Sequence, residues 1–129
     1  MKIEHIAYMV ADPQAMVQWY VRHLGLTIKR GSDKPPFGHF LADAGGAVLL
    51  ELYGGPDGKI PNYPAIDPAA LHLALVSADL GRDCRRLISA GASEVEPPRA
   101  LPNGDSVAML RDPWGLAVQL VQRAKPMLG

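Results

Sequence analysis

The half-chain is written twice. "IEHIAYMVADP", residues 3–13, and "ALHLALVSADL", residues 70–80, each set a histidine into a short apolar run and follow it seven positions later with an aspartate. His5 and His72 stand 67 positions apart, and so do Asp12 and Asp79. In 129 residues a period of this length accommodates two copies. A single copy is one supersecondary unit that cannot bury its own apolar face, so copies must pair, within one chain or across two.

The copies share their punctuation. Asp12 followed by Pro13 is a helix start, because the carboxylate accepts orphan N–H groups and proline fits the first turn. Met16, Trp19, Tyr20 and Leu24 then recur at helical spacing, and Gly25 supplies a left-handed stop. In the second copy Asp79 caps a segment whose Leu80, Cys84, Leu87 and Ile88 share a face, and Gly91 closes it. Three strands follow each helix: "LTIKR", "GHFLAD" and "AVLLELY" in the first copy, "SEVE", "SVAMLRD" and "LAVQLVQ" in the second. Asp112-Pro113-Trp114-Gly115 makes the last turn. The expectation is an α+β fold of paired βαβββ modules in one domain, residues 1–129. Repeat one covers about 2–53, a Gly- and Pro-rich linker or lid about 54–68, and repeat two about 69–123.

Composition narrows the partners. Lys plus Arg and Asp plus Glu both number 13, so no net field favours nucleic acid or an anionic membrane, and a small-molecule ligand is the better expectation. One cysteine, Cys84, excludes an intrachain disulfide, and no run reaches the roughly 18 apolar residues of a membrane helix. Met1 leads straight into a strand pattern without the layout of a signal peptide, so the expected location is cytoplasmic.

Aligning the last strand of each copy places Glu51 opposite Gln119, an offset of 68. Thus His5, Glu51, His72 and Gln119 are four polar groups set at repeat-related positions in four apolar strands. One such residue is easily a packing accident. Four in a dry interior would each need hydrogen-bond partners of their own, and one shared cation satisfies them all. With side chains alternating along a strand, His5 faces with Ile3 and Ala7, and Glu51 with Leu49 and Tyr53.

The paired βαβββ pattern, the early histidine in each half, the acid late in the fourth strand and the "DPWG" turn resemble the vicinal oxygen chelate superfamily. That group includes glyoxalase I, methylmalonyl-CoA epimerase, extradiol dioxygenases, fosfomycin-modifying enzymes and metal-free bleomycin-binding proteins. The resemblance runs from Lys2 to about Arg123 and implies an open eight-stranded barrel or cup. It also implies a divalent ion (Zn, Ni, Co, Mn or Fe) held by His5, Glu51, His72 and Gln119. Gln119 departs from the family pattern, where metal-using members carry glutamate; a neutral amide is a weaker ligand but still fills a position. Homodimers are common in the family, and one is expected here.

On reaction class the resemblance mostly subtracts. Glyoxalase I and the epimerases stabilise an enolate-like oxyanion while a carboxylate moves the adjacent proton. With Gln119 in the last strand, Glu51 is the carboxylate left to do so. Met9 and Gly55 stand where glutathione-dependent glyoxalases carry arginine and asparagine, which disfavours a glutathione substrate. Gln119 also removes the carboxylate of a dioxygenase facial triad. The preferred expectation is a metal-dependent lyase or isomerase acting on a small substrate with adjacent oxygens. The alternative is a metal-free binding protein of the bleomycin resistance type, its pocket drawn from Trp19, Phe37, Phe40, Tyr53, Tyr63 and Trp114; a dioxygenase comes third. His39 is expected in the third strand, facing the cup, and His23 at the surface near the helix end.

Overall fold

The computed structural model describes residues 1–47 and 49–128. They form two compact units, divided between Pro61 and Asn62. The expected first-copy strand "AVLLELY" includes Val48, which lies outside the described residues.

In the first unit, strand β1 (His5–Met9) leads through Asp12 into helix α1 (Pro13–Leu24), followed by β2 (Thr27–Gly31), β3 (His39–Ala42) and β4 (Leu49–Tyr53). The Asp12 carboxylate accepts the N–H of Ala15 at 3.0 Å, a cap that stabilises the helix by about 1 kcal/mol. Gly25 ends the helix with φ +73°. The sheet order is β1-β4-β3-β2, with β1 parallel to β4 and the remaining pairs antiparallel. Helix α1 buries Met16, Val17 and Tyr20 over Leu41, Leu50 and Leu52. Each such side chain removed from water contributes roughly 1.5–3 kcal/mol. Trp19 and Leu24, expected on that face, are only partly covered; Val17 lies nearer its centre. Trp19 instead sets its ring 5.2 Å from that of His23.

The second unit repeats this plan. A short 3-10 turn (Tyr63–Ala65) precedes β5 (Leu73–Val76), helix α2 (Leu80–Ser89), β6 (Ser93–Ala100), β7 (Ser106–Arg111) and β8 (Ala117–Gln122). Its sheet order is β5-β8-β7-β6, with β5 parallel to β8. Asp79 caps α2 through the N–H of Arg82 at 3.0 Å, and Leu80, Cys84 and Leu87 are buried. Ile88, expected on that face, is 40% exposed. Strand β6 continues past the expected "SEVE" through Pro97 and Pro98. Proline is tolerated there because β6 pairs only with β7, and the register shifts between Glu96 and Arg99.

The paired βαβββ plan is therefore present, and the register makes the repeat quantitative. Ala7 pairs with Glu51 in the first unit; Ala74 pairs with Gln119 in the second. The residue facing Glu51 from its other side is Phe40, and the one facing Gln119 is Met109.

Candidate functional site

Each unit sets one histidine and one oxygen donor on the face of its sheet opposite the helix. In β4 the alternation is strict: Leu50 and Leu52 are buried, whereas Leu49, Glu51 and Tyr53 are half-covered. Glu51 thus stands away from α1, and His5, at the start of the neighbouring strand, reaches it. The Nε2 atom of His5 lies 3.3 Å from Oε2 of Glu51. The rings of His5 and Phe40 meet in a T-shaped arrangement with centroids 5.3 Å apart and an interplanar angle of 87°, which limits how the imidazole can turn. Nδ1 of His5 is engaged by the Glu4 carboxylate. That hydrogen bond, with the charges of Glu4 and Glu51, raises the His5 pKa above the ordinary value against a smaller opposing effect of desolvation.

In the second unit His72 immediately precedes β5 rather than lying within it, directly after the turn that Asp67 builds over residues 68–71. Asp67 accepts the N–H groups of Ala69, through its side chain, and of Ala70 and Leu71, through its carbonyl. The turn aims the Pro68 carbonyl at His72, whose Nδ1 lies 2.7 Å away. A carbonyl only accepts, so Nδ1 carries the proton and Nε2 presents its lone pair outward. His72 and Gln119 line one cavity of about 350 Å³, with Val95, Met109 and Pro68 as apolar wall and Asp67, Glu96 and Arg99 as polar rim. Arg99 donates to Glu96 at 3.4 Å.

The sequence treats these four residues as polar groups in a dry interior. Within their units all four are instead partly exposed, since the faces that carry them are the ones the helices leave uncovered. His39 does not share the Glu51 face: it pairs with Leu52, and strand alternation puts it on the side of the buried leucines. Its Nδ1 donates to the Phe37 carbonyl at 2.8 Å. Tyr63, counted among the pocket aromatics, is buried. Residue type and spacing do not single out Asp67, Glu96 and Arg99. They come from a turn and from a bulged strand, where no period marks which side chains converge.

The donor chemistry fits a divalent ion. Two ligands bonded to one ion at about 2.1 Å and separated by an angle of roughly 90–110° stand about 3.0–3.4 Å apart, the spacing of His5 Nε2 and Glu51 Oε2. In the second unit the Nδ1 of His72 is committed to a carbonyl on its far side, the usual arrangement of a ligating histidine. Among the described residues no three histidine, cysteine, aspartate or glutamate side chains gather as one metal-holding group.

This fold and these paired donor positions define a βαβββ-repeat protein of the glyoxalase type. The chain belongs to the Glyoxalase/Bleomycin resistance protein/Dioxygenase superfamily, whose model matches residues 2–120. No curated protein matches it. Among solved structures it is similar to a glyoxalase family protein from Bacillus cereus, at 14% identity, TM-score 0.81, covering 95% of this chain and 93% of that one. It is also similar to TnmS3, an antibiotic-binding protein from Streptomyces sp. CB03234, at 21% identity, TM-score 0.72, covering 96% and 97%. A glyoxalase I variant from Zea mays matches at 22% identity and TM-score 0.76, covering 96% of this chain and 46% of that one.

Proposed function

We propose that the protein is a divalent-metal-dependent lyase or isomerase acting on a small substrate with adjacent oxygens, through an enolate-type intermediate. His5, Glu51, His72 and Gln119 are the proposed ligands, and Zn, Ni, Co, Mn and Fe all suit their nitrogen and oxygen donors. When bound, such an ion supplies Lewis-acid stabilisation of a developing oxyanion. Everything else falls to the protein. Glu51 takes the proton next to the substrate carbonyl and returns it, with His5 beside it to steady the carboxylate. His72 keeps Nε2 as an acceptor because its Nδ1 proton is committed to Pro68. Val95 and Met109 give the cavity beside His72 an apolar wall. The observation that carries this reading is the 3.3 Å approach of His5 Nε2 to Glu51 Oε2.

Elemental analysis after purification without chelators tests it: about one divalent ion per set of four ligands is expected. Protein that holds no metal even after soaking with Zn²⁺, Ni²⁺ and Mn²⁺ would turn the choice to a second reading, sequestration of a small apolar compound. That reading is favoured by the amide of Gln119 where a carboxylate is usual, by the apolar wall around His72, and by the likeness in fold to TnmS3, an antibiotic-binding protein. A dioxygenase is the least supported, because Gln119 deprives a facial triad of its acid.

The proposed assembly is a homodimer. Ile6 on β1 and Val76 on β5 are 51% and 81% exposed, and each of these strands pairs on one side only, leaving an apolar edge that a second chain would cover. The proposed compartment is the cytoplasm, supported by a single, buried, unpaired cysteine. No described helix is long and apolar enough to cross a membrane.

A further inference from the structure

The connector between the repeats does not end as a free strap. Its second part is fastened by one side chain to the end of the second sheet at which β5 begins. Arg111, the last residue of β7, donates from Nη1 to the carbonyls of Tyr63 (3.1 Å) and Gly115 (2.8 Å) and from Nη2 to that of Ile66 (2.9 Å). Three carbonyls on two different segments thus share one planar fork, a geometry that guanidinium satisfies and ammonium does not. Gly115 completes the clasp. Its φ is +93°, and a Cβ there would run into the Pro64 ring.

What the clasp holds is the start of the turn that orients His72. Ile66 directly precedes Asp67; Asp67 binds the N–H groups of residues 69–71; and the Pro68 carbonyl inside that turn receives the Nδ1 proton of His72. We infer that Arg111 is a positioning residue for His72: by fixing Ile66 it fixes the Pro68 carbonyl, and so sets which imidazole nitrogen is protonated and which faces the cavity. The inference rests on the reading of His72 as a functional ligand, but its first readout does not depend on metal.

The test uses ¹⁵N NMR of the His72 imidazole in the metal-free full chain at a pH where the ring is neutral. The parent should show the Nδ1–H tautomer. Arg111→Ala should shift it toward the Nε2–H form that free imidazoles favour, and should weaken Zn²⁺ binding by roughly 10-fold, the lower range for loss of an outer-shell partner. Arg123→Met is the control. It breaks a different ion pair of the same unit, Arg123 Nη1 to Asp105 Oδ2 at 2.7 Å, and should lower Tm without moving the tautomer. A parent-like tautomer in Arg111→Ala overturns the inference, as does an equal shift in Arg123→Met. If Arg111→Ala does not fold, Arg111→Lys decides: a mixed tautomer supports the fork's role, and a parent-like one overturns it. Failure of the parent to bind Zn²⁺ would remove the metal reading alone, since the tautomer measurement still decides the role of Arg111.

Discussion

Glu51 stands 3.3 Å from His5 across a parallel strand pair, and the residue that the repeat sets against Glu51 in the other unit is the uncharged Gln119. The two halves therefore carry the same backbone register with unequal chemistry. One brings a carboxylate to its histidine. The other brings an amide and a cavity. The proton-transfer role proposed for Glu51 rests on the first.

Substitution at Gln119 should expose that asymmetry. Gln119→Glu replaces a neutral amide donor with an anionic one and is expected to tighten Zn²⁺ by about 10-fold, near 1.4 kcal/mol in binding free energy. His72→Ala, which deletes an Nε2 donor, should abolish tight binding. Isothermal calorimetry separates the three proteins; identical isotherms for parent and both variants would remove these residues from the proposed metal site.

The acid limb of stability should belong in part to Asp105. Its carboxylate accepts from Arg123, from the N–H of Ala124 at 2.9 Å and from Asn103, and these hold its pKa below the ordinary aspartate value. A depressed folded-state pKa contributes stability above the unfolded value, and that stability is lost as pH falls through the folded one. Asp105→Asn should be less stable than the parent at pH 7, with the gap closing on acidification below about pH 4. Thermal melts across pH 2–7 check this; a gap that does not narrow would assign the loss to packing.

Two glycines of positive φ should respond unequally to alanine. Gly25, at the end of α1, has open space around the position a methyl group would take, with nothing within 4 Å, so Gly25→Ala meets only the left-handed backbone penalty of roughly 1 kcal/mol. Gly115→Ala meets that penalty and the Pro64 ring as well, and should cost about 2–4 kcal/mol. Chemical denaturation ranks the two; equal losses would show that the Pro64 segment yields without cost.

Light scattering at micromolar concentration should return twice the 13.9 kDa chain mass. Val76→Glu, which charges the exposed edge of β5, should shift the equilibrium toward monomer without unfolding the chain. A parent that runs as a monomer would reject the dimer. If the proposed site draws on two chains, mixing His5→Ala with Gln119→Ala chains should restore part of the lost metal binding, whereas sites confined to one chain would show no recovery.

The repeat, both helices, their aspartate N-caps and the Gly25 stop were legible in the chain itself, because their causes are local; α2 ends at Ala90, one residue before the expected Gly91. An Asp side chain caps the residues that follow it, a glycine stops the turn that precedes it, and alternation along β4 separates Glu51 from Leu50 and Leu52 before any partner strand is known. The correspondence of Glu51 with Gln119 was legible for the same reason, and the register repeats it through Ala7 and Ala74. Other features were decided by contacts between residues distant in sequence. Strand pairing turned His39 to the side of Leu52, and the packing of α2 on its sheet left Ile88 40% exposed. Arg111 is an ordinary strand-end arginine in the sequence; only folding brings it to the carbonyls of Tyr63 and Ile66, 48 and 45 residues away. His72 likewise reads as one histidine in an apolar run, and its tautomer is fixed by a carbonyl that the turn at Asp67 places against it. Periodicity records which face a residue occupies, whereas the hydrogen-bond partner that makes an imidazole a donor or an acceptor is set by tertiary geometry.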